Sequence, residues 1–205
     1  MTSRRGARGM RVIAGTARGR RLVTPAGDDV RPTKDMVREA MFSALDARDA
    51  VVGATVLDLY AGSGALAIEA LSRGATRAVV VEHSRAAVDA INANVELLAL
   101  GERLRLVAGD VGRFLAGGPP AEAPFGLVMA DPPYGTTDET VTSMLVALAR
   151  PGWVAADAIV TVERPARRPV EAPPGWSCGW ERTFGDTLLA FLFREVGSRP
   201  GGTTA

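Results

Sequence analysis

The 205-residue chain has room for one α/β domain with a full core and little to spare. Its 47% hydrophobic and 23% charged content is that of a globular protein. No apolar run reaches the length of a membrane span, and no signal peptide opens the chain. The single cysteine, Cys178, excludes an internal disulfide and a cysteine-rich metal site. The single histidine, His83, argues against a histidine metal centre or a catalytic triad, so no metal is expected. A reduced, cytoplasmic setting is the corresponding expectation. The net charge of +1 hides an asymmetry: residues 1–21 carry seven arginines and no acid, and the remainder holds 17 basic and 23 acidic residues. A basic arm on a mildly acidic body suits a polyanion binder, although a solvated tail has the same composition.

In chain order, residues 1–9 lack apolar content and are expected to be disordered. Met10–Ala14 and Arg20–Thr24 flank a turn bounded by Gly15 and Gly19, which predicts a hairpin carrying Arg11, Arg18, Arg20 and Arg21. One hairpin is marginal alone, so it must lean on the main domain or on RNA. After a loop from Pro25 to Pro32, Thr33 or Asp35 is expected to cap a helix running to about Arg48. Apolar runs and helical patterns then alternate: a strand from Thr55, a helix from Ala65 to Gly74, a strand ending at Glu82, and a helix from Ser84 to Gly101. A strand follows at Leu104–Ala108, another at Phe125–Ala130, a helix at about Asp138–Ala149, and a strand at Ala158–Val162. Two short strands near Ser177–Arg182 and Thr187–Phe193 share only a tight connection at Gly185-Asp186, so they must pair antiparallel.

This pattern predicts a doubly wound, mostly parallel seven-stranded sheet of Rossmann-like α/β type with an antiparallel terminal strand, preceded by a small hairpin extension. The expected divisions are a basic N-terminal extension at 1–32, the main domain at 33–195, and a disordered tail at 196–205.

Asp58-Leu-Tyr-Ala-Gly62-Ser-Gly64 reads as strand, glycine turn, helix. Residues 62–67 fit G-x-G-x-x-A, a pattern shared with nicotinamide and flavin dehydrogenases. Asp58 just before the turn would repel a pyrophosphate but favour a cation, such as the ammonium or sulfonium of S-adenosylmethionine. Asp58, Glu82, Asp110 and Asp131 each lie at or near a strand's C-terminal end, where such sheets bind ligands. Glu82 would accept from both hydroxyls of a ribose, and Asp110 from an adenine amino group or, alternatively, act as a helix N-cap. Asp131-Pro132-Pro133-Tyr134 places a carboxylate beside carbonyls whose neighbours lack N–H donors, followed by an aromatic ring. That set suits a flat base with an exocyclic amino group, whose hydrogens the carboxylate and carbonyl accept while Tyr134 stacks on the ring.

Together these motifs resemble those of class I S-adenosylmethionine-dependent amino-methyltransferases. The flanking stretches Arg11-Val-Ile-Ala-Gly15, Arg18-Gly-Arg-Arg-Leu22 and Arg31-Pro-Thr-Lys-Asp-Met-Val-Arg-Glu39 resemble the RsmD family, which methylates guanine N2 in small-subunit ribosomal RNA. The resemblance covers about residues 10–195. It implies cofactor binding through Arg31, Thr33, Asp58, Tyr60, Ala61, Gly62, Ser63, Gly64, Glu82, His83, Asp110, Val111 and Asp131. It implies catalysis through Asp131, Pro132 and Tyr134, and RNA contact through Arg11, Arg18, Arg20 and Arg21. The implied substrate is 16S ribosomal RNA or the assembled 30S subunit, and the implied state is a monomer. Adenine N6, protein glutamine and, less favoured, a nicotinamide-dependent oxidoreductase stay open at this point.

Overall fold

The computed structural model describes residues 9–25 and 32–195, with the backbone alone for 32–34. The ends expected to be disordered, Gly9 apart, and Arg31 lie outside the described residues, as does most of the loop before Pro32. Helices and strands alternate as α1 (Pro32–Asp46), β1 (Thr55–Leu59), α2 (Ala65–Ser72), β2 (Arg77–Glu82), α3 (Arg85–Leu97), β3 (Leu104–Ala108), α4 (Val111–Ala116), β4 (Phe125–Ala130) and α5 (Asp138–Leu148). The chain then makes β5 (Val154–Pro165), β6 (Trp176–Phe184) and β7 (Thr187–Arg194). One seven-stranded sheet has the order β3-β2-β1-β4-β5-β7-β6. The strands from β3 to β5 pair in parallel, and β7 runs antiparallel to both neighbours.

Strands covered on both faces read as nearly continuous apolar runs, which is why Val56-Leu57 and Val79-Val80-Val81 are buried throughout. Alternate side chains serve opposite layers. Val56, Val80, Leu127 and Met129 join Phe42, Ile68, Leu71 and Ile91 on the α1–α3 face. Leu57, Leu59, Val79, Val81 and Val128 join Leu115, Met144 and Leu145 on the α4–α5 face.

The structure corrects several boundaries. The first helix starts at Pro32, where a missing N–H costs nothing, so neither Thr33 nor Asp35 is its cap; Asp35 lies in the first turn and pairs with Arg38 at 3.0 Å. Helix α3 stops at Leu97 rather than at Gly101, with Ala99 taking the left-handed turn at φ 53°. Its N-cap Ser84 makes no side-chain cap bond. The fifth strand is longer than expected, 12 residues, because its ends Val154 and Pro165 also pair, with β4 and β7. The six-residue α4 had no counterpart in the expected elements, being too short for a helical period to register.

The expected hairpin forms as a short antiparallel pairing centred on Arg11 and Arg21, with the Leu22 amide donating to Met10 at 2.9 Å and the Val12 amide to Arg20 at 3.0 Å, and it leans on the domain. Buried Glu69 of α2 accepts from the Ile13 and Ala14 amides at 2.7 and 2.9 Å. Ser72, at the foot of α2, accepts from the Thr16 amide through its carbonyl at 2.8 Å and from the Ala17 amide through its hydroxyl at 2.9 Å. Gly15 is obligatory there: φ is +80°, and a Cβ would stand 1.9 Å from the Ser72 carbonyl oxygen. Val12 and Leu22 enter the same core cluster as α1–α3. Residues 9–25 are thus packed onto the domain rather than standing apart from it.

Candidate active site

Parallel pairing of β3, β2, β1 and β4 brings their C-terminal ends to one rim. Asp58 is the penultimate residue of β1 and Glu82 the last of β2; Asp110 follows β3 by two residues and Asp131 follows β4 by one. The four carboxylates therefore share one mouth, as their positions in the chain anticipated.

Asp58 is 1% exposed and lies beneath the first turn of α2. Its Oδ2 accepts from the Ala67 amide at 3.1 Å, while Oδ1 is buried with no hydrogen-bond partner among the described residues. Burial, against the Ala67 bond and with repulsion from Asp131 and Glu82, pushes its pKa up from 3.8 to about 8. A buried carboxylate oxygen without a donor is a group that a cation would satisfy.

The turn above it contains three left-handed residues, Tyr60 (φ 63°), Gly62 (φ 57°) and Gly64 (φ 76°). A Cβ on Gly64 would press on Ile91 Cγ1 at 3.4 Å, whereas one on Gly62 would meet open space, so that side of the loop is accessible. Ala61 ties the turn to β2, its amide donating to Val81 at 3.2 Å. Glu82 holds the loop from the adjacent strand: Oε2 accepts from the Gly62 amide at 2.9 Å, and Oε1 from the His83 and Ser84 amides at 2.8 and 2.7 Å. A carboxylate offers about four acceptor positions. One remains on Oε2, so the expected two-pronged grip on a ribose narrows to one contact.

Ser63 points away from the mouth. Its hydroxyl faces Met10 Sδ at 3.6 Å, and its carbonyl accepts from buried Asn94 at 3.0 Å. Asn94 also exchanges two bonds with the Val23 backbone, at 2.7 and 2.9 Å. This asparagine joins the N-terminal segment to the glycine loop, and the motif reading passed over it. The available signal was a polar residue at the apolar spacing of α3, four after Ala90 and three after Ile91.

Beyond Glu82 a cleft of about 800 Å³ is lined by Tyr60, His83, Asp110, Val111, Leu115, Pro133, Thr136 and Met144, among others. That is within the range of small-molecule sites. Asp110 is the N-cap of α4, its Oδ1 accepting from the Arg113 amide at 2.9 Å. The capping alternative therefore holds, and the residue faces the cleft as well. Burial, with Asp110 nearby, raises the pKa of Tyr60.

Asp131 and Tyr134 are exposed and Pro132 is buried between them. The Pro133 carbonyl is taken by the Thr136 amide at 2.8 Å, whereas no donor among the described residues meets that of Pro132. The loop after Tyr134 is clamped from β5. Buried Arg164 donates to the Thr136 carbonyl at 2.9 Å and pairs with Asp138, and Arg168 reaches the same two groups at 3.2 Å each.

The four N-terminal arginines are all exposed, but Arg18 and Arg20 sit away from the mouth. The turn bearing Arg18 abuts Ser72, and Arg20 donates to the Leu97 carbonyl at the end of α3 at 2.9 Å. Eight-residue α2 separates that foot from the rim by roughly 12 Å. Arg31 and the Thr33 side chain lie outside the described residues.

A Rossmann-like sheet with a reversed seventh strand, a glycine loop after β1 and an Asp-Pro-Pro-Tyr segment after β4 define an S-adenosylmethionine-dependent methyltransferase. Residues 10–193 match the family described as Conserved hypothetical protein 95, and the chain belongs to it, the RsmD family. It is 35% identical over 190 residues to Ribosomal RNA small subunit methyltransferase D of Escherichia coli K12, covering 91% of each chain. It is 33% identical to the putative rRNA methyltransferase YlbH of Bacillus subtilis, covering 88% of this chain and 90% of the relative. Among solved structures, the putative methyltransferase yhhF from Escherichia coli superposes with a TM-score of 0.77 at 36% identity, covering 92% of this chain and 99% of that one.

Proposed function

We propose that the protein transfers a methyl group to the exocyclic N2 amino group of a guanine in 16S ribosomal RNA, free or within the 30S subunit, as a cytoplasmic monomer. The observation that carries the reading is the pairing of two carboxylates on adjacent strands. Asp58 is buried with an oxygen that lacks a donor among the described residues, and Asp131 is exposed beside the carbonyl of Pro132. The first suits a cationic donor and the second an amine acceptor. Membership of a family whose curated relatives are ribosomal RNA methyltransferases supports RNA as the bearer of that amine.

S-adenosylmethionine, when bound, supplies a methyl group on a sulfonium. Asp58 and the backbone of Tyr60–Gly64 would hold its methionyl half, with Arg31 and Thr33 enclosing it. Glu82 would take a ribose hydroxyl. Asp110 and Val111, with His83 and Tyr60, would line the adenine cleft. The target base leaves its stack, a step that unpaired RNA makes inexpensive. Tyr134, 61% exposed, offers its ring face to that base. Asp131 and the Pro132 carbonyl accept the two amino hydrogens and aim the nitrogen lone pair at the methyl carbon. With S-adenosylmethionine bound, the N–C bond would form as the sulfonium C–S bond breaks, S-adenosylhomocysteine would leave, and the amine's extra proton would pass to solvent water. Alignment supplies much of the rate, and Asp131 stabilises the charge growing on nitrogen.

Labelled methyl transfer to unmodified 30S particles and to free 16S RNA, followed by digestion to nucleosides, tests the proposal. N2-methylguanosine is expected. Label in N6-methyladenosine, or in a protein glutamine, would reassign the acceptor, and nicotinamide fluorescence on mixing would point to a dehydrogenase.

A further inference from the structure

The mouth as described is a poor place for RNA. Asp110 and Asp131 are exposed there, with Glu82 behind them, and phosphates are repelled by that field. The cations at the arm's tip do not remedy this locally, because Arg18 and Arg20 are placed about a helix length from the rim.

The connection from β5 to β6 carries Arg167 and Arg168, following Arg164 at the end of β5. Two of these three guanidiniums are committed. Arg164 is 3% exposed and bound to Asp138 and Thr136, and Arg168 shares both partners. Arg167 is different. It is exposed, it has no ion pair with any described residue, and its guanidinium carbon lies 5.3 Å from the centroid of the Tyr134 ring. The loop beneath it is fixed by the other two arginines, so its position relative to the tetrapeptide is built in.

We propose that Arg167 binds a backbone phosphate next to the target nucleotide, and that its perch on Tyr134 presets it for this contact. The inference rests on the RNA methylation proposed above. A base stacked on Tyr134 brings its own phosphates within a nucleotide's length of the ring, which is the reach of an arginine lying over that ring. The Tyr134 face holds the cation without neutralising it. A carboxylate partner would have done so, and Asp138 shares its one negative charge between Arg164 and Arg168. Arg167 thus offsets the negative rim at the one point where the RNA strand must cross it, and the N-terminal arginines serve a more distant part of the substrate.

The test measures methyl transfer to 16S RNA by wild type, Arg167→Ala, Arg167→Gln and Arg167→Lys between 50 and 200 mM salt, with S-adenosylmethionine affinity measured by calorimetry. Arg167→Ala is expected to raise KM for RNA about tenfold, and to reduce the slope of log KM against log salt by about 0.7, the value for one phosphate on a single strand. Arg167→Gln, which keeps a planar group for the ring but no charge, should match Arg167→Ala. Arg167→Lys should restore the slope. Cofactor affinity should be the same in all four. A fall in kcat with KM and slope unmoved would mean that Arg167 only props Tyr134, and would overturn the proposal; so would no change in any variant. Wild-type protein that binds S-adenosylmethionine yet labels no RNA would remove the RNA reading itself, and this one with it, before any variant is compared.

Discussion

The two halves of the mouth are built differently. At the ends of β1 and β2 the polar groups are bound into the fold: Glu82 takes three backbone amides, Asn94 ties the glycine loop to Val23, and Asp58 is sealed beneath α2. At the end of β4, Asp131 and Tyr134 are exposed, on a loop that Arg164 and Arg168 hold from behind. The first half is rigid because a small, cationic ligand must be enclosed. The second is open, as the proposed delivery of one base by an RNA strand requires. The N-terminal segment belongs to the first half: it braces the glycine loop through Met10 and Val23.

Four substitutions separate the halves, from the largest effect to the smallest. Asp131→Ala acts on the open half alone. It should lower kcat by about 10²–10³ or more, the range for removing one preorganised electrostatic partner, with cofactor affinity measured by calorimetry nearly intact. Unchanged turnover would deny Asp131 its role. Gly15→Ala acts on the enclosed half at a distance. The left-handed backbone and the clash with Ser72 should cost about 3 kcal/mol in urea unfolding. The loosened arm should weaken cofactor binding as well, and a variant as stable as wild type would show that the arm is not anchored there.

Asp58→Asn keeps an acceptor for the Ala67 amide while removing the charge. In wild type the folded protein holds a proton on Asp58 up to a pKa of about 8, against 3.8 for the ordinary group. Between those values the folded state binds one more proton than the unfolded state, so this group's contribution to ligand-free stability declines as pH rises. Binding a cation expels that proton, so affinity for S-adenosylmethionine should rise by about tenfold per pH unit up to about 8 and level off above. Asp58→Asn should flatten both profiles. Equal slopes in variant and wild type would place the titration elsewhere.

The smallest change is expected from replacing Arg18, Arg20 and Arg21 together by alanine. Two of the three lie near the foot of α2 and α3, so the loss should be a few-fold in RNA affinity with a flatter salt dependence, and turnover at saturating RNA should be little altered. Loss of turnover at saturation would mean that the arm reaches the mouth in the complex.

Much of this was legible in the chain. The strand ends fell where the apolar runs ended, and each rim acid sits at such an end, so their convergence followed from parallel pairing alone. Other features were not legible. Ser63 sits inside the motif, yet its hydroxyl faces the arm at Met10, a neighbour 53 residues earlier in the chain. The arginine pattern suggested RNA contact without saying where, and hydrogen bonds to Ser72 and Leu97 place its tip at the foot of the helices. The β5–β6 connection read only as a loop rich in proline and arginine. That Arg168, with Arg164 of β5, is spent on Asp138 while Arg167 is not depends on a neighbour 30 residues earlier for Arg168 and 26 for Arg164.

What the sequence alone determined is the order of the strands and the longer helices, the four acids at the strand ends and the Asp131–Tyr134 tetrapeptide after β4, because hydrophobic period and local turn chemistry are properties of neighbouring residues. What only the tertiary structure decided is which of those polar groups are already satisfied. Asp58 Oδ1, the last position on Glu82 and the guanidinium of Arg167 differ from their neighbours by partners distant in the chain, and a hydrogen bond or ion pair between distant residues exists only once the sheet has brought them together.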